Sequence, residues 1–355
     1  MDVTVVVNPR ECFSRLPLSL ASLLRTIPES VPVIVNDGGA PEEVRSQIRA
    51  LKANREFVYI EPEHFILPPV ARNMALEMVE TEYVVYVDND LKYDDGWLEA
   101  MVRTAEENEA GAVCPVTLLG PLPKRMIHHA GSTINAYVDE NGLNRISSEH
   151  RLEWVALEEA RENDWNGISM ENDEFEYHCA LIRTSVMREI GGHDERQTHY
   201  DHLNDSLRIK AMGHKIFLAP DAVVEYLALH PFEDYDWPYF CWRWTDENSR
   251  MSAEQIAEAF GVWKNPPGDE LIFVRTHRAR AVKTLLPKWM NKVRPFRIQG
   301  WILDREIARR QKLAPKPLTL EQRYVAPRPK KNALETAGIP GAETLHINGS
   351  LCDSN

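Results

Sequence analysis

Two carboxylates one residue apart, Asp88-Asn89-Asp90, follow directly on the apolar run YVVYV at 83–87. Acids placed where a buried strand opens to solvent are costly without a cation. Hard oxygen ligands suit Mg2+ or Mn2+, ions that also bind phosphate oxygens. A plain Asx turn, with Asp90 capping the next element, accounts for the same three letters. The surroundings decide between the two. Asn36-Asp37-Gly38-Gly39 closes an earlier apolar run, so a second acid sits at a strand C-terminus. Open α/β sheets bind their ligands outside those ends. Ala71-Arg72-Asn73 begins the helical pattern before the acids, and Gly96-Trp97-Leu98 comes after them. Further on come Gly191-Gly192-His193-Asp194-Glu195, the run Asp201-His202-Leu203-Asn204-Asp205-Ser206-Leu207-Arg208, and Gly213-His214-Lys215-Ile216.

Other reactive side chains speak less clearly. The five Cys lie at 12, 114, 179, 241 and 352, with no CxxC spacing, and read as reduced thiols. Cys179 stands beside His178, but no acidic orienter is evident, so a buried thiol on an apolar run is the simpler reading. His128-His129 and His178 are candidates to line a site, although a lone His is more often a packed structural residue.

These residues need a scaffold, and its elements show in the apolar pattern. Short β-branched runs at 3–7, 32–36, 57–60 and 83–87 have centres about 25 to 29 residues apart, the spacing of βα units. Each run is nearly all apolar, as in strands covered on both faces. Helical patterns lie between them through Leu18–Leu24, Val44–Leu51 and Val70–Met78. The start of the chain therefore reads as an α/β sheet with mostly parallel strands. A second αβ stretch runs from about 174 to 228. Residues 116–172 suit loops and short strands over a site. At 355 residues, 43% hydrophobic and 27% charged, the chain is an ordinary globular protein of about two domains. Neither a signal peptide nor a membrane span is expected. The net charge of −13 argues against general nucleic-acid binding. It hides an asymmetry: residues 275–331 hold 17 Lys and Arg against 3 Asp and Glu, a net of +14, leaving −27 for the rest.

In that order, the motifs resemble family-2 glycosyltransferases of the GT-A fold, over roughly residues 3–228. The resemblance implies a Rossmann-like mixed sheet flanked by helices, with a C-terminal mostly helical extension. It implies a catalytic domain over 1–230, with a nucleotide-sugar half to about 115 and an acceptor half beyond. An aromatic and then basic helical extension would span 231–332, and a loose tail 333–355. Pro9 and Asp37 would edge the nucleotide-base pocket, and Arg72 and Asn73 would lie near the donor. Asp88 and Asp90 would hold Mn2+ or Mg2+ on the donor diphosphate, with Asn89 beside it. The leaving nucleoside diphosphate develops charge that a cation stabilises. The usual Glu-Asp of the family falls on Asp201-His202. An inverting transfer needs a group to accept the acceptor's proton. Asp201 is the first candidate, His202 the second and Asp205 the third. A late His of the family is replaced by Tyr226, which leaves His230, four residues on, as a metal-ligand candidate. The aromatics Trp237, Tyr239, Phe240, Trp242 and Trp244 fit either acceptor stacking or core packing.

The expected activity is metal-dependent transfer of a sugar, with inversion, from a UDP-, GDP- or dTDP-linked donor to a saccharide, lipid-linked or other hydroxyl acceptor. A degenerate carbohydrate-binding or scaffold protein is the alternative. A nucleotidyltransferase fits less well, because NPRECFS after the first strand has no Gly for a phosphate loop. The expected setting is cytoplasmic. Ile298, Trp301, Ile302 and Ile307 share one face of a helix over 297–311, with Arg305, Arg309, Arg310 and Lys312 around the remainder. Such a helix suits an anionic membrane surface at the inner face. Packing on the acidic catalytic domain is the preferred reading, and a homo-oligomer contact the lesser variant.

Overall fold

In a computed structural model of the chain, the described residues are 1–228, 231–285, 305, 309, 323–329 and 333–345. His230 and all but two residues of the helix expected over 297–311 lie outside them.

The four apolar runs form β1 (Val3–Asn8), β2 (Val33–Asn36), β3 (Val58–Ile60) and β4 (Tyr83–Asp88). Between them lie α1 (Leu16–Thr26), α2 (Glu42–Lys52) and α3 (Pro68–Leu76). Helix α3 starts earlier than the Ala71-Arg72-Asn73 pattern implies. Pro68 and Pro69 occupy its first turn, where a missing N–H costs nothing. Beyond β4 lie β5 (Leu91–Tyr93), α4 (Trp97–Glu107), β6 (Ala112–Leu119) and β7 (Met126–His129). Next come β8 (Ser132–Val138), β9 (Asn144–His150), α5 (Leu157–Glu162) and β10 (Glu171–Asn172). The second αβ stretch supplies β11 (Cys179–Arg183), α6 (Thr184–Glu189), α7 (Asp201–Ala211) and β12 (Ile216–Tyr226). Strand β12 runs past Pro220, where the sequence pattern stops. A register shift between Ala219 and Val223 absorbs the proline, whose missing donor the ladder would otherwise need.

The strands make one mixed sheet in the order β10-β12-β6-β11-β4-β1-β2-β3, with β5 on β12 and β7 on β6. β1 pairs in parallel with both β2 and β4, while β11 runs antiparallel between β4 and β6. Alternate residues of each central strand serve opposite faces. Val3, Val5, Val7, Val85 and Val87 pack with α1 and α4. Val6, Val84 and Tyr86 pack with residues of α3, α6 and α7. Each buried Val contributes roughly 1.5–3 kcal/mol. Because β1 lies between β2 and β4, a crevice opens at the carboxyl ends of these three strands. The β8–β9 hairpin forms a separate sheet.

After β12 come α8 (Trp237–Arg243), α9 (Asp246–Phe260) and α10 (Glu270–Leu285). Trp237, Tyr239, Phe240, Trp242 and Trp244 are all buried. Tyr239 and Trp242 join the core beside α1, and Trp237, Phe240 and Trp244 pack with Val274 of α10. These aromatics pack the interior. Residues 333–345, the first part of the expected loose tail, include a short helix, Ala333–Thr336. Leu334 and Ile339 are buried with Leu203 and Leu207 of α7. Among the described residues, no helix is long and apolar enough to cross a membrane.

Candidate active site

The register of β1 and β4 sets Asn8 opposite Asp88, so the chain leaving β1 emerges beside the acid that ends β4. Arg10 NH1 donates to Asp88 Oδ2 at 2.5 Å. From the other neighbour, the backbone N–H of Asp88 donates to the His178 carbonyl at 2.9 Å. The His178 Nδ1 lies 3.3 Å from Asp88 Oδ2. Asn89 turns inward, and its Nδ2 donates to the Cys12 carbonyl at 3.0 Å, tying the acid turn to the loop after β1. Asp90 is fully buried, and neither of its carboxylate oxygens has a hydrogen bond among the described residues. Among the described residues its nearest cation is Arg15, with NH1 at 3.6 Å. Burial pushes the Asp90 carboxyl up to about 6, and the charge of Asp88 adds to burial against the pull of Arg10 and Arg15. Asp88 is buried too, but Arg10 and His178 outweigh that burial and hold it below the usual carboxylate range. A buried carboxylate without a hydrogen bond among the described residues fits a divalent cation, which would supply the missing contacts and balance the charge. Ligand atoms of Asp88, Asp90 and His178 lie within 4.8 Å of one another.

The remaining expected donor residues divide. Pro9 is buried against Gly38, whose φ of +68° and lack of a Cβ let the two loops touch. Asp37 is saturated. Its oxygens accept from Arg45 Nε at 2.8 Å, Tyr59 OH at 2.8 Å and the Gly39 N–H at 2.9 Å. Asn73 is equally engaged: its amide donates to the His193 carbonyl at 2.9 Å and accepts from the His193 N–H at 2.9 Å. It staples α3 to the Gly191–Glu195 turn. Arg72 does face the crevice side. It stacks 3.7 Å from the Tyr177 ring centre, and its NH1 donates to Asp201 Oδ2 at 2.6 Å. The charge of Asp88 also acts on Arg72.

Asp201 opens α7, where the helix N-terminus favours a negative charge. Burial opposes ionisation there, but Arg72 and His202 hold the carboxyl well below the usual range. His202 has Nδ1 3.5 Å from Asp201 and Nε2 3.5 Å from Glu174. Burial lowers its pKa, but the two carboxylates outweigh that and leave it raised. Its side chain is 23% exposed, against 10% for Asp201 and 2% for Asp205. Asp205 is locked by Tyr177 OH at 2.7 Å, His193 Nδ1 at 2.8 Å and Arg208 NH1 at 3.2 Å.

The structure adds residues that the sequence pattern did not single out. Arg10, Arg15, Glu174 and Glu176 all reach the site. The spelling Glu174-Phe175-Glu176-Tyr177-His178, acids and a His at alternate positions before β11, was the available signal. Tyr226 packs against His178 at a tilt of 39°, with centroids 4.0 Å apart. Cys179 points into the core, where burial pushes its thiol well up.

A model of glycosyl transferase family 2 matches residues 4–191. The chain belongs to glycosyl transferase family 2. Two curated relatives of this family-2 chain, the pre-mycofactocin glycosyltransferases of two Mycobacterium tuberculosis strains, are 25% identical to it over 224 residues, or 63% of its length. The chain spans 42% of the length of those relatives. Among solved structures, GalNAc-T7 crystallised with UDP, GalNAc and Mn2+ is similar at a TM-score of 0.52 and 13% identity, over 86% of this chain and 54% of that one. The mannosyltransferase PcManGT of Pyrobaculum calidifontis, in complex with GDP-Man and Mn2+, aligns at 0.49 and 18% identity, over 86% and 79%. The fold of the family-2 chain is the GT-A type, a mixed sheet flanked by helices with a helical C-terminal part.

Proposed function

We propose that the chain moves a sugar from a UDP-, GDP- or dTDP-linked donor to a hydroxyl acceptor, with Mn2+ or Mg2+ held by Asp88 and Asp90. One observation carries the metal assignment. Asp90 is buried at the carboxyl end of β4 with both oxygens free of hydrogen bonds among the described residues. The cation would neutralise charge developing on the departing diphosphate. Arg10 and Arg15 border the same acids and add positive potential. Pro9 and Gly38 edge the nucleotide end of the crevice. Asp37, Asn73 and Asn89 build the walls, since their polar atoms are largely committed to the protein itself. Asp205 positions α7 through Tyr177, His193 and Arg208.

Asp201 and His202 form the proton-accepting pair. Asp201 is held anionic by Arg72, which makes it a weak base and a firm orienter. His202, more exposed and set between two carboxylates, takes the proton of the attacking hydroxyl. Attack on the anomeric carbon from the side opposite the diphosphate gives inversion. Family membership and the match to pre-mycofactocin glycosyltransferases support the activity class. The buried thiols Cys12, Cys114 and Cys179 support a reducing, cytoplasmic setting.

The test is a donor panel read by released nucleoside diphosphate. At least one of the UDP-, GDP- and dTDP-sugars is expected to be turned over with Mn2+ or Mg2+, and not after chelation. Equal release with and without chelator would overturn the metal's role. Binding of nucleotides without turnover of any donor, with a range of sugar and lipid acceptors present, would overturn the enzyme reading.

A further inference from the structure

Beside the acid turn lies a second cluster of different chemistry. His128 stands on β7, His150 ends β9, and Glu176 and His178 precede β11. Three imidazoles turn Nε2 towards one carboxylate. His128 and His178 each lie 3.5 Å from Glu176 Oε2, and His150 lies 3.5 Å from Glu176 Oε1. Glu176 Oε2 is buried and has no hydrogen bond among the described residues. Ligand atoms of His128, Glu176 and His178 fall within 4.8 Å of one another. A tetrahedral ion with ligand bonds of ~2.0–2.2 Å spaces its ligand atoms on the order of 3.3 Å apart. The three His–Glu176 contacts are close to that spacing. The His128 and His150 side chains are about a quarter exposed or less, which leaves an ion a way in.

We propose that His128, His150, Glu176 and His178 form a second metal site, built for a nitrogen-seeking divalent ion such as Zn2+. Three nitrogens and one oxygen favour such an ion over Mg2+, whereas the oxygen ligands of Asp88 and Asp90 favour the harder ions. His178 joins the two. With Nε2 on the second ion, its Nδ1–H faces Asp88 Oδ2 at 3.3 Å, the arrangement in which a carboxylate orients a metal-bound histidine. Tyr226 packs against the ring at a tilt, with centroids 4.0 Å apart. The second ion thereby fixes His178 and, through it, the acid that holds the donor cation. The site stands on its own geometry and does not depend on sugar transfer.

Co2+ serves as the visible probe in place of Zn2+. The full chain, stripped by chelator, is titrated with Co2+ while absorbance is read, and metal content is measured after dialysis. The expected result is a tetrahedral-type visible band that saturates at one equivalent and is erased by Zn2+ but not by Mg2+. His128→Ala and Glu176→Gln should each weaken Co2+ binding by more than about tenfold, the lower end for merely supporting residues. Asp90→Asn should leave the band intact while abolishing Mn2+-dependent donor turnover, which separates this site from the donor cation. Absence of a band in the unaltered chain overturns the proposal, and needs no variant to fold. So does a band that persists in His128→Ala and Glu176→Gln chains of unchanged circular dichroism, or one that vanishes with Asp90→Asn.

Discussion

At the scale of single residues, partners matter more than identity. Asp88 and Asp90 are the same residue two positions apart, yet they are pushed in opposite directions. Arg10 reaches Asp88, while among the described residues Asp90 has the longer contact with Arg15. Asp90→Asn should therefore lower Mn2+-dependent turnover by at least about a hundredfold, because electrostatic stabilisation of a leaving group is usually a large term. Circular dichroism should be unchanged, and turnover within about threefold of the unaltered chain would refute the assignment. For the proton acceptor, His202→Ala should lower kcat by about 10²–10⁴ with little change in donor KM. Asp201→Asn should also lower kcat, and should in addition shift the acidic limb of the pH–rate profile to lower pH by lowering the basicity of His202. If His202→Ala stays near normal while Asp201→Asn is inactive, Asp201 is the base itself.

At the scale of elements, α7 is the piece that carries the proposed base, and buried charges hold it. Asp205 ties it to Tyr177 and His193, and Arg208 carries the same helix to the Gly192 carbonyl at 2.8 Å. Burial opposes the Asp205 charge, but His193 and Arg208 outweigh it and hold the carboxyl below its ordinary value. A depressed carboxyl stabilises the fold above the unfolded pKa of about 3.9, and that share is lost as pH falls through the folded value. Asp205→Asn should thus cost about 3 kcal/mol at pH 7, with the gap to the unaltered chain closing below about pH 4. Urea unfolding at several pH values measures this. A constant gap across that range would show that charge is not what Asp205 contributes.

At the scale of the whole molecule, the segments after β12 pack on the loop that follows β1. Asp236 accepts from the Ser14 N–H at 2.9 Å, and Arg243 donates to the Arg10 carbonyl at 2.9 Å. Trp244 lies stacked between His199 and His277, at 4.3 and 4.2 Å. Trp244→Ala should cost about 3–5 kcal/mol and loosen α10, measured by denaturant unfolding and by hydrogen exchange in Glu270–Leu285. A loss below about 1 kcal/mol would mean that α10 is held elsewhere. Of the described ends of the basic segment 275–331, one holds to the helical extension and the other to residues before 230. Arg278 Nε donates to the Trp244 carbonyl at 2.8 Å, and Tyr324 OH to the Gly191 carbonyl at 2.7 Å. Packing on the acidic domain therefore predicts no sedimentation with anionic vesicles even at low salt. Binding that requires anionic lipid and fades with salt would instead support membrane docking.

Much of the sheet was readable from the chain alone. Unbroken apolar runs specify doubly covered strands, and their spacing specifies the helices between them, because both are local consequences of side-chain burial. The same local logic put Asp88 and Asp90 at a strand end. The sequence could not assign roles that depend on the residues lying opposite. Asp37 and Asn73 have the right types for ligand contact, but their hydrogen bonds are taken by Arg45, Tyr59 and His193, from 8 to 120 positions away. Strand β11 was visible as an apolar run, but its antiparallel insertion between β4 and β6 was not. That insertion is what carries Glu176 and His178 to Asp88 and gathers His128 and His150 around them. Local pattern determines which elements form; only tertiary pairing, whose energy comes from contacts distant in sequence, decides which charges meet.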